Sequence, residues 1–172
     1  IYAARGVSES QLSMALPGLL KPNFDQLNIA LKLLEKSLLE DKQILIVGDF
    51  DADGATASAV AIKALRLMGA KHVDFLVPNR FKHGYGLSPE IVNEAKRDKE
   101  PDLIITVDNG ISSNEGAELA RSLDIDVIIT DHHLPPNELP NANAIINPNL
   151  RGCDFPSKNL AGVGVCFYLF SS

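Results

Sequence analysis

The 172 residues carry 22 acidic and 16 Lys or Arg side chains, for a net charge of −6, and 45% of them are hydrophobic. That supports one core of ordinary domain size, and the acidic balance argues against a broad basic surface for nucleic acid. No apolar run approaches a membrane span and no charged-then-apolar leader opens the chain. Two cysteines, Cys153 and Cys166, lack a C-x-x-C pairing, so the expectation is a cytoplasmic protein with reduced thiols and no zinc.

Tyr2 to Leu20 mixes polar and apolar residues around Pro17-Gly18 and gives no functional signal. Phe24, Leu27, Leu31, Leu34 and Leu38 then recur at three or four, the spacing of an amphipathic helix ending near Asp41. The expected division is a helical segment over 1–42, packed on a sheet built by 43–172. Ile44-Leu45-Ile46-Val47, bounded by glycine, reads as a buried strand. Directly after it stands Gly48-Asp49-Phe50-Asp51-Ala52-Asp53-Gly54, three carboxylates spaced two apart. Like charges that close repel one another unless a cation lies between them, and hard oxygen ligands suit Mg²⁺ or Mn²⁺. A calcium-binding EF-hand loop opens the same way, but its twelfth position requires a carboxylate and here is Val60. The plain alternative is a solvated turn of Asp and Gly.

Ala55 to Met68, rich in Ala and Leu and closed by Gly69, is a predicted helix. Its small residues Ala55, Ala57, Ser58 and Ala59 let the first turn approach the carboxylates. Val73 to Val77 is a second strand, followed by a loop from Pro78 to Leu87. In that loop Arg80 is a candidate phosphate contact and Tyr85 a candidate platform for a base of a single strand. Lys82 and His83 read as a solvated charged loop. Ser88-Pro89-Glu90 starts a helix running to about Arg97.

Leu103 to Val107 is a third strand ending in Asp108-Asn109-Gly110, and Ser112 with Glu115 predicts a capping box for a helix reaching about Leu123. Val127 to Thr130 is a fourth strand, ending in Asp131-His132-His133. Ala144 to Ile146 is a fifth, ending in Asn147-Pro148-Asn149.

Short, fully apolar strands alternating with helices predict an α/β fold: a doubly wound, mainly parallel five-stranded sheet with helices on both faces. Right-handed crossovers place every strand's carboxyl end on one edge, where such folds bind ligands. Asp51 and Asp53, Asp108, and Asp131-His132-His133 all fall on that edge from three strands. A two-metal centre with a bridging carboxylate requires that gathering, whereas independent turns would scatter the residues. A phosphatase of the haloacid dehalogenase type also places Asp-x-Asp after its first strand. It expects Thr or Val two residues beyond the second aspartate, where this chain has Asp53 or Ala55.

Gly48 to Gly54, Thr106-Val107-Asp108-Asn109-Gly110-Ile111 and Thr130-Asp131-His132-His133 resemble the first three motifs of the DHH phosphoesterase superfamily. Val77-Pro78-Asn79-Arg80, Gly84-Tyr85-Gly86-Leu87-Ser88-Pro89, Ile145-Ile146-Asn147-Pro148-Asn149 and Leu160-Ala161-Gly162-Val163-Gly164-Val165 are similar to its RecJ branch, single-strand-specific 5′-to-3′ DNA exonucleases. Family II inorganic pyrophosphatases and oligoribonucleases share the aspartate and DHH motifs but not those flanks. The resemblance implies two divalent cations, Mn²⁺ or Mg²⁺, roughly 3.5–4 Å apart, which neutralise the phosphodiester and supply hydroxide.

On this resemblance Asp51 and Asp53 hold the ions, with Asp49 a ligand or a neighbour of one, and Asp108 is the bridging carboxylate. His132 ligates through a neutral nitrogen, and Asp131 either ligates or orients that ring. His133 faces the scissile phosphate as donor or proton carrier. The implied substrate is single-stranded DNA in repair and recombination, with a helicase and a single-strand-binding protein as partners and no membrane. The superfamily pattern continues with another metal-binding aspartate and a substrate-gripping domain beyond the point where this chain stops, and Asp154 sits in the wrong context to substitute. The expectation is therefore a fragment that folds but is weak or inactive as a nuclease. The competing expectation is a non-catalytic replication or repair adaptor on the same fold.

Overall fold

Five runs rich in Ile, Leu and Val become strands in the computed structural model, which describes residues 1–12, 18–79 and 83–172. They are β1 (Ile44–Gly48), β2 (Val73–Leu76), β3 (Leu103–Val107), β4 (Asp126–Thr130) and β5 (Ala144–Ile146). All pair in parallel in the order β2-β1-β3-β4-β5. Successive side chains of a strand point to opposite faces, so a strand apolar at every position needs cover on both. Ile44, Ile46, Ile105 and Ile128 pack on one side, under α1 (Leu27–Leu39), α2 (Ala52–Leu67) and α5 (Gly162–Ser171). Leu45, Val47, Ile104 and Ile129 pack on the other, under α3 (Pro89–Asp98) and α4 (Asn114–Ser122). The predicted α/β class, parallel sheet and two helical layers are all present. Among the described residues no helix is long and apolar enough to cross a membrane.

Three helix starts decide what reaches the sheet edge. Asp51 is extended, at φ −95° and ψ −173°, and its side chain accepts a hydrogen bond from the Gly54 N–H at 3.0 Å, so α2 begins at Ala52 and not at Ala55. Asp53 consequently sits on the first helical turn. Ser88 caps α3, accepting from the Ile91 N–H at 3.4 Å with Pro89 in the first position. The capping box expected from Ser112 and Glu115 does not form: α4 starts at Asn114, and the flanking Ser113 Oγ accepts instead from the Leu87 N–H at 3.0 Å.

The chain leaves β1 for the edge strand β2, then returns across β1 to place β3 on its other side. This reversal opens a crevice at the carboxyl ends of β1 and β3, the position where open α/β sheets take ligands.

Candidate metal centre

The carboxyl ends of β1 and β3 are stitched together below the crevice. The Asn109 side-chain amide, fully buried, donates to the Val47 carbonyl at 3.0 Å and to the Val107 carbonyl at 2.9 Å. Thr106 Oγ1 donates to the Asn109 carbonyl at 2.7 Å, and Thr130 Oγ1 to the Thr106 carbonyl at 2.8 Å. These bonds fix the turn carrying Asp108, whose φ of 63° is left-handed. Asp and Asn adopt that conformation more readily than other side chains do.

Asp108 is 1% exposed, and among the described residues its Oδ1 has no hydrogen bond. His132 Nε2 approaches that atom at 3.2 Å without hydrogen-bond alignment and lies 3.8 Å from Asp53 Oδ2. Burial, reinforced by the charges of Asp53 and Asp51, pushes the Asp108 carboxyl up to about 7. Asp53 has a second duty: its two oxygens accept the Gly162 and Val163 N–H groups of α5 at 2.7 and 2.8 Å, a carboxylate at a helix N-terminus. Gly162 is the residue that lets α5 seat there, because a Cβ at this position would fall 2.2 Å from Asp108 Oδ1. Asp49 is nearly buried, with Oδ1 accepting from the Phe50 N–H at 2.7 Å.

Asp131 is fully buried and committed to local structure. Its Oδ2 accepts from the Ile111 N–H at 2.9 Å, and its Oδ1 from the His132 and His133 N–H groups at 2.7 and 3.0 Å. Oδ1 also meets His133 Nδ1 at 2.7 Å. The resemblance implies that Asp131 either ligates or orients the His132 ring; the ring it bonds is that of His133. Burial disfavours a charged His133, but the bond to Asp131 and the charges of Asp131, Asp108 and Asp49 outweigh it and raise its pKa. Tyr85 stands at the rim, with its hydroxyl 3.4 Å from the Asp108 carbonyl and from the His133 ring nitrogens. Burial first, then the surrounding carboxylates, hold its phenol well above the usual range.

Among the described residues two groups of potential ligand atoms result, each within 4.8 Å: Asp49, Asp51 and Asp108, and Asp108, His132 and His133. Asp108 belongs to both. The donors are hard oxygens plus imidazole, and an unpaired buried carboxylate oxygen is an atom for which a cation would compensate, so the residues fit divalent ions of the Mg²⁺ or Mn²⁺ kind. Asp53 and Asp131 are in neither group. Arg80 and Lys82 lie outside the described residues. His83 is part of the scaffold: its Nδ1 accepts from the Asn79 N–H at 3.2 Å and its Nε2 faces Glu94 at 3.3 Å. Asn147 and Asn149, which neither charge nor spacing marks as site residues, reach the histidines from below. Gly162, open in the sequence between an approach to substrate and a helix start, is the first residue of α5.

Residues 43–172 match the DHH family, N-terminal domain. The chain belongs to the DHH family. Among DHH relatives it is similar to the single-stranded-DNA-specific exonuclease RecJ of Escherichia coli, with 54% identity over 171 residues that cover 98% of this chain and 30% of that protein. A crystal structure of exonuclease RecJ bound to manganese superposes with a TM-score of 0.75 at 38% identity, over 86% of this chain and 37% of the other. RecJ from Thermus thermophilus in complex with Mn²⁺ gives a TM-score of 0.78 at 32% identity, over 98% of this chain and 23% of that one. The chain thus spans about 30% of the length of the first curated relatives it matches.

Proposed function

We propose that this chain is the cation-binding portion of a cytoplasmic hydrolase that removes nucleotides from single-stranded DNA, 5′ to 3′, in repair and recombination. The observation that carries the reading is the buried carboxylate of Asp108, whose Oδ1 has no hydrogen bond among the described residues and which is common to both ligand groups at the β1/β3 crevice. Asp49, Asp51 and Asp53 would hold divalent cations, Mn²⁺ or Mg²⁺, from the β1 side, and His132 from the β4 side, with Asp108 bridging. Bound cations neutralise the phosphodiester and lower the pKa of an attacking water.

The chain's own groups supply the rest. Asp131 fixes His133 through Nδ1 and favours its protonated form, which suits a ring that donates a hydrogen bond or proton to a phosphate oxygen. Tyr85 stays a phenol, so its hydroxyl is a donor, and its half-exposed ring is available for stacking on a base. Arg80, in the neighbouring loop, would pair with a backbone phosphate. Residues 43–172 would form the catalytic domain and 1–42 a helical segment packed on its sheet, and a helicase and a single-strand-binding protein are the expected partners.

The test is a time course on 5′- and 3′-labelled single strands, with and without Mn²⁺, using the protein extended past Ser172. Wild type should shorten the 5′ end only when Mn²⁺ is present, and Asp108→Ala and His132→Ala should abolish cleavage while keeping the fold. Retained Mn²⁺-dependent cleavage in both variants would overturn the assigned roles, and a folded wild type without nuclease activity would favour an adaptor.

A further inference from the structure

The histidine pair is held from below by a connection to which neither its motif nor its strand gives a function. Asn147, 1% exposed at the end of β5, donates from its side-chain amide to the His133 carbonyl at 2.9 Å. Asn149 donates to the His132 carbonyl at 2.6 Å. The two asparagines are locked to each other, because the Asn149 N–H donates to Asn147 Oδ1 at 2.8 Å. Pro148, between them, presents its carbonyl to Lys158 Nζ at 2.7 Å, and the same ammonium binds the Cys153 carbonyl at 2.7 Å. Four residues beyond Lys158 the chain enters α5, whose first N–H groups seat on Asp53.

We infer that Asn147 and Asn149 are positioning residues for His132 and His133, acting through the main-chain carbonyls of the pair, and that Lys158 is the latch that closes the turn carrying them. The ring of His133 is already fixed at one end by Asp131; the asparagines fix the backbone from which both rings project. A ligand or proton-carrying ring needs its orientation set to a few tenths of an ångström, and groups behind it that supply this are typically worth roughly 10–100-fold in metal affinity. The inference rests on the proposed cation site for its consequence, but not for its geometry.

The experiment is therefore run first without metal. In the 172-residue chain with EDTA, long-range ¹⁵N–¹H spectra of the imidazoles report ring tautomer and uniformity. Wild type should give one set of signals, with His133 in the Nδ1–H form bonded to Asp131. Asn149→Asp keeps the size of the side chain and removes the donor; it and Asn149→Ala should split or broaden the His132 and His133 signals while the backbone amide spectrum stays folded. Asn137→Asp, at an exposed asparagine of the β4–β5 connection, should change neither. Lys158→Met, at an exposed position, should give the same disturbance in smaller degree and decides the matter if the Asn149 variants fail to fold. Mn²⁺ titration should then weaken roughly 10–100-fold in Asn149→Asp. Wild-type ring spectra in folded Asn149→Asp, or in Lys158→Met where Asn149→Asp is unfolded, would overturn the inference. A wild type that binds no Mn²⁺ even when extended past Ser172 would instead overturn the proposed function, leaving the ring spectra to judge the positioning role.

Discussion

Asp108 combines a left-handed backbone, near-complete burial and an oxygen with no hydrogen bond. Backbone strain of that kind costs on the order of 1–3 kcal/mol and survives only where the surroundings over-determine it; here Asn109, Thr106 and Thr130 do so. The carboxyl titrates near 7 because burial and the charges of Asp53 and Asp51 disfavour ionisation. An acid whose folded pKa lies above its unfolded value binds its proton more tightly in the native state, so metal-free stability falls as pH rises from about 4 to about 7 and then levels off. The whole displacement corresponds to about 4 kcal/mol as an upper bound, since each pKa unit is worth about 1.4 kcal/mol. Asp108→Asn removes the charge at constant size. Urea unfolding in EDTA at pH 5 and pH 8 should show wild type losing roughly 1–3 kcal/mol more than Asp108→Asn across that interval; equal losses would mean that Asp108 carries no such penalty. Asp51, Asp108 and His132 were legible because charge type and spacing mark them in the sequence. Asn147 and Asn149 were marked only by resemblance and by their place at a strand end, with no role attached, since a side chain that bonds a distant main-chain carbonyl leaves no mark in composition or period.

The elements themselves could be read because the interiors of β1, β3, β4 and β5 are almost wholly apolar, with only the edge strand β2 carrying an interior charge, Asp74; helix starts were less legible, because they depend on which side chain reaches the free N–H groups. At α4 the helix starts one residue later than the Ser112–Glu115 box required, and Ser113, the residue that flanks it, gives its hydroxyl to the Leu87 N–H of a segment 26 residues away rather than to the helix. At α2 the shift mattered for the site, since starting at Ala52 puts Asp53 on the helix and aims its carboxylate at α5. The α5 seat depends on the absence of a side chain at Gly162. Gly162→Ala should push its Cβ into the Asp108 carboxylate, with Oδ1 at 2.2 Å and Cγ at 2.5 Å. Because the neighbour is the buried Asp108 side chain, met from its carboxylate down to Cβ, it does not yield freely, and the expected cost is about 1–3 kcal/mol. Thermal unfolding measures this, and amide exchange at Gly162 and Val163 locates it: exchange should quicken there before it does in β1 or β3. An alanine variant as stable as wild type, with those amides still protected, would show that α5 does not depend on this contact.

At the scale of the whole molecule, the alternation of elements announced a parallel sheet but not its strand order. That order follows from one return: after β2 the chain re-crosses β1, and with right-handed crossovers the reversal moves α3 and α4 to the face opposite α2. The same reversal leaves the β1 and β3 ends unfilled, and Asp49, Asp51, Asp53, Asp108 and Asp131 gather around the gap in a protein already at net charge −6. Their mutual repulsion is a tension that a divalent cation relieves and a monovalent salt only screens. A ligand that binds the native state alone, at one hundred times its dissociation constant, stabilises it by about 2.7 kcal/mol. At about 2–4 °C per kcal/mol for a chain of this size, each loaded site should raise the melting temperature by about 5–10 °C. Thermal melts with Mn²⁺, with KCl at matched ionic strength and with EDTA separate binding from screening: Mn²⁺ should raise the midpoint well beyond KCl, and EDTA should abolish the gain. Asp108→Asn, which removes the carboxylate common to both ligand groups, should remove most of it. An equal Mn²⁺ shift in Asp108→Asn would place the ion away from the β1/β3 crevice, and no shift in wild type would mean that the gathered carboxylates hold no cation.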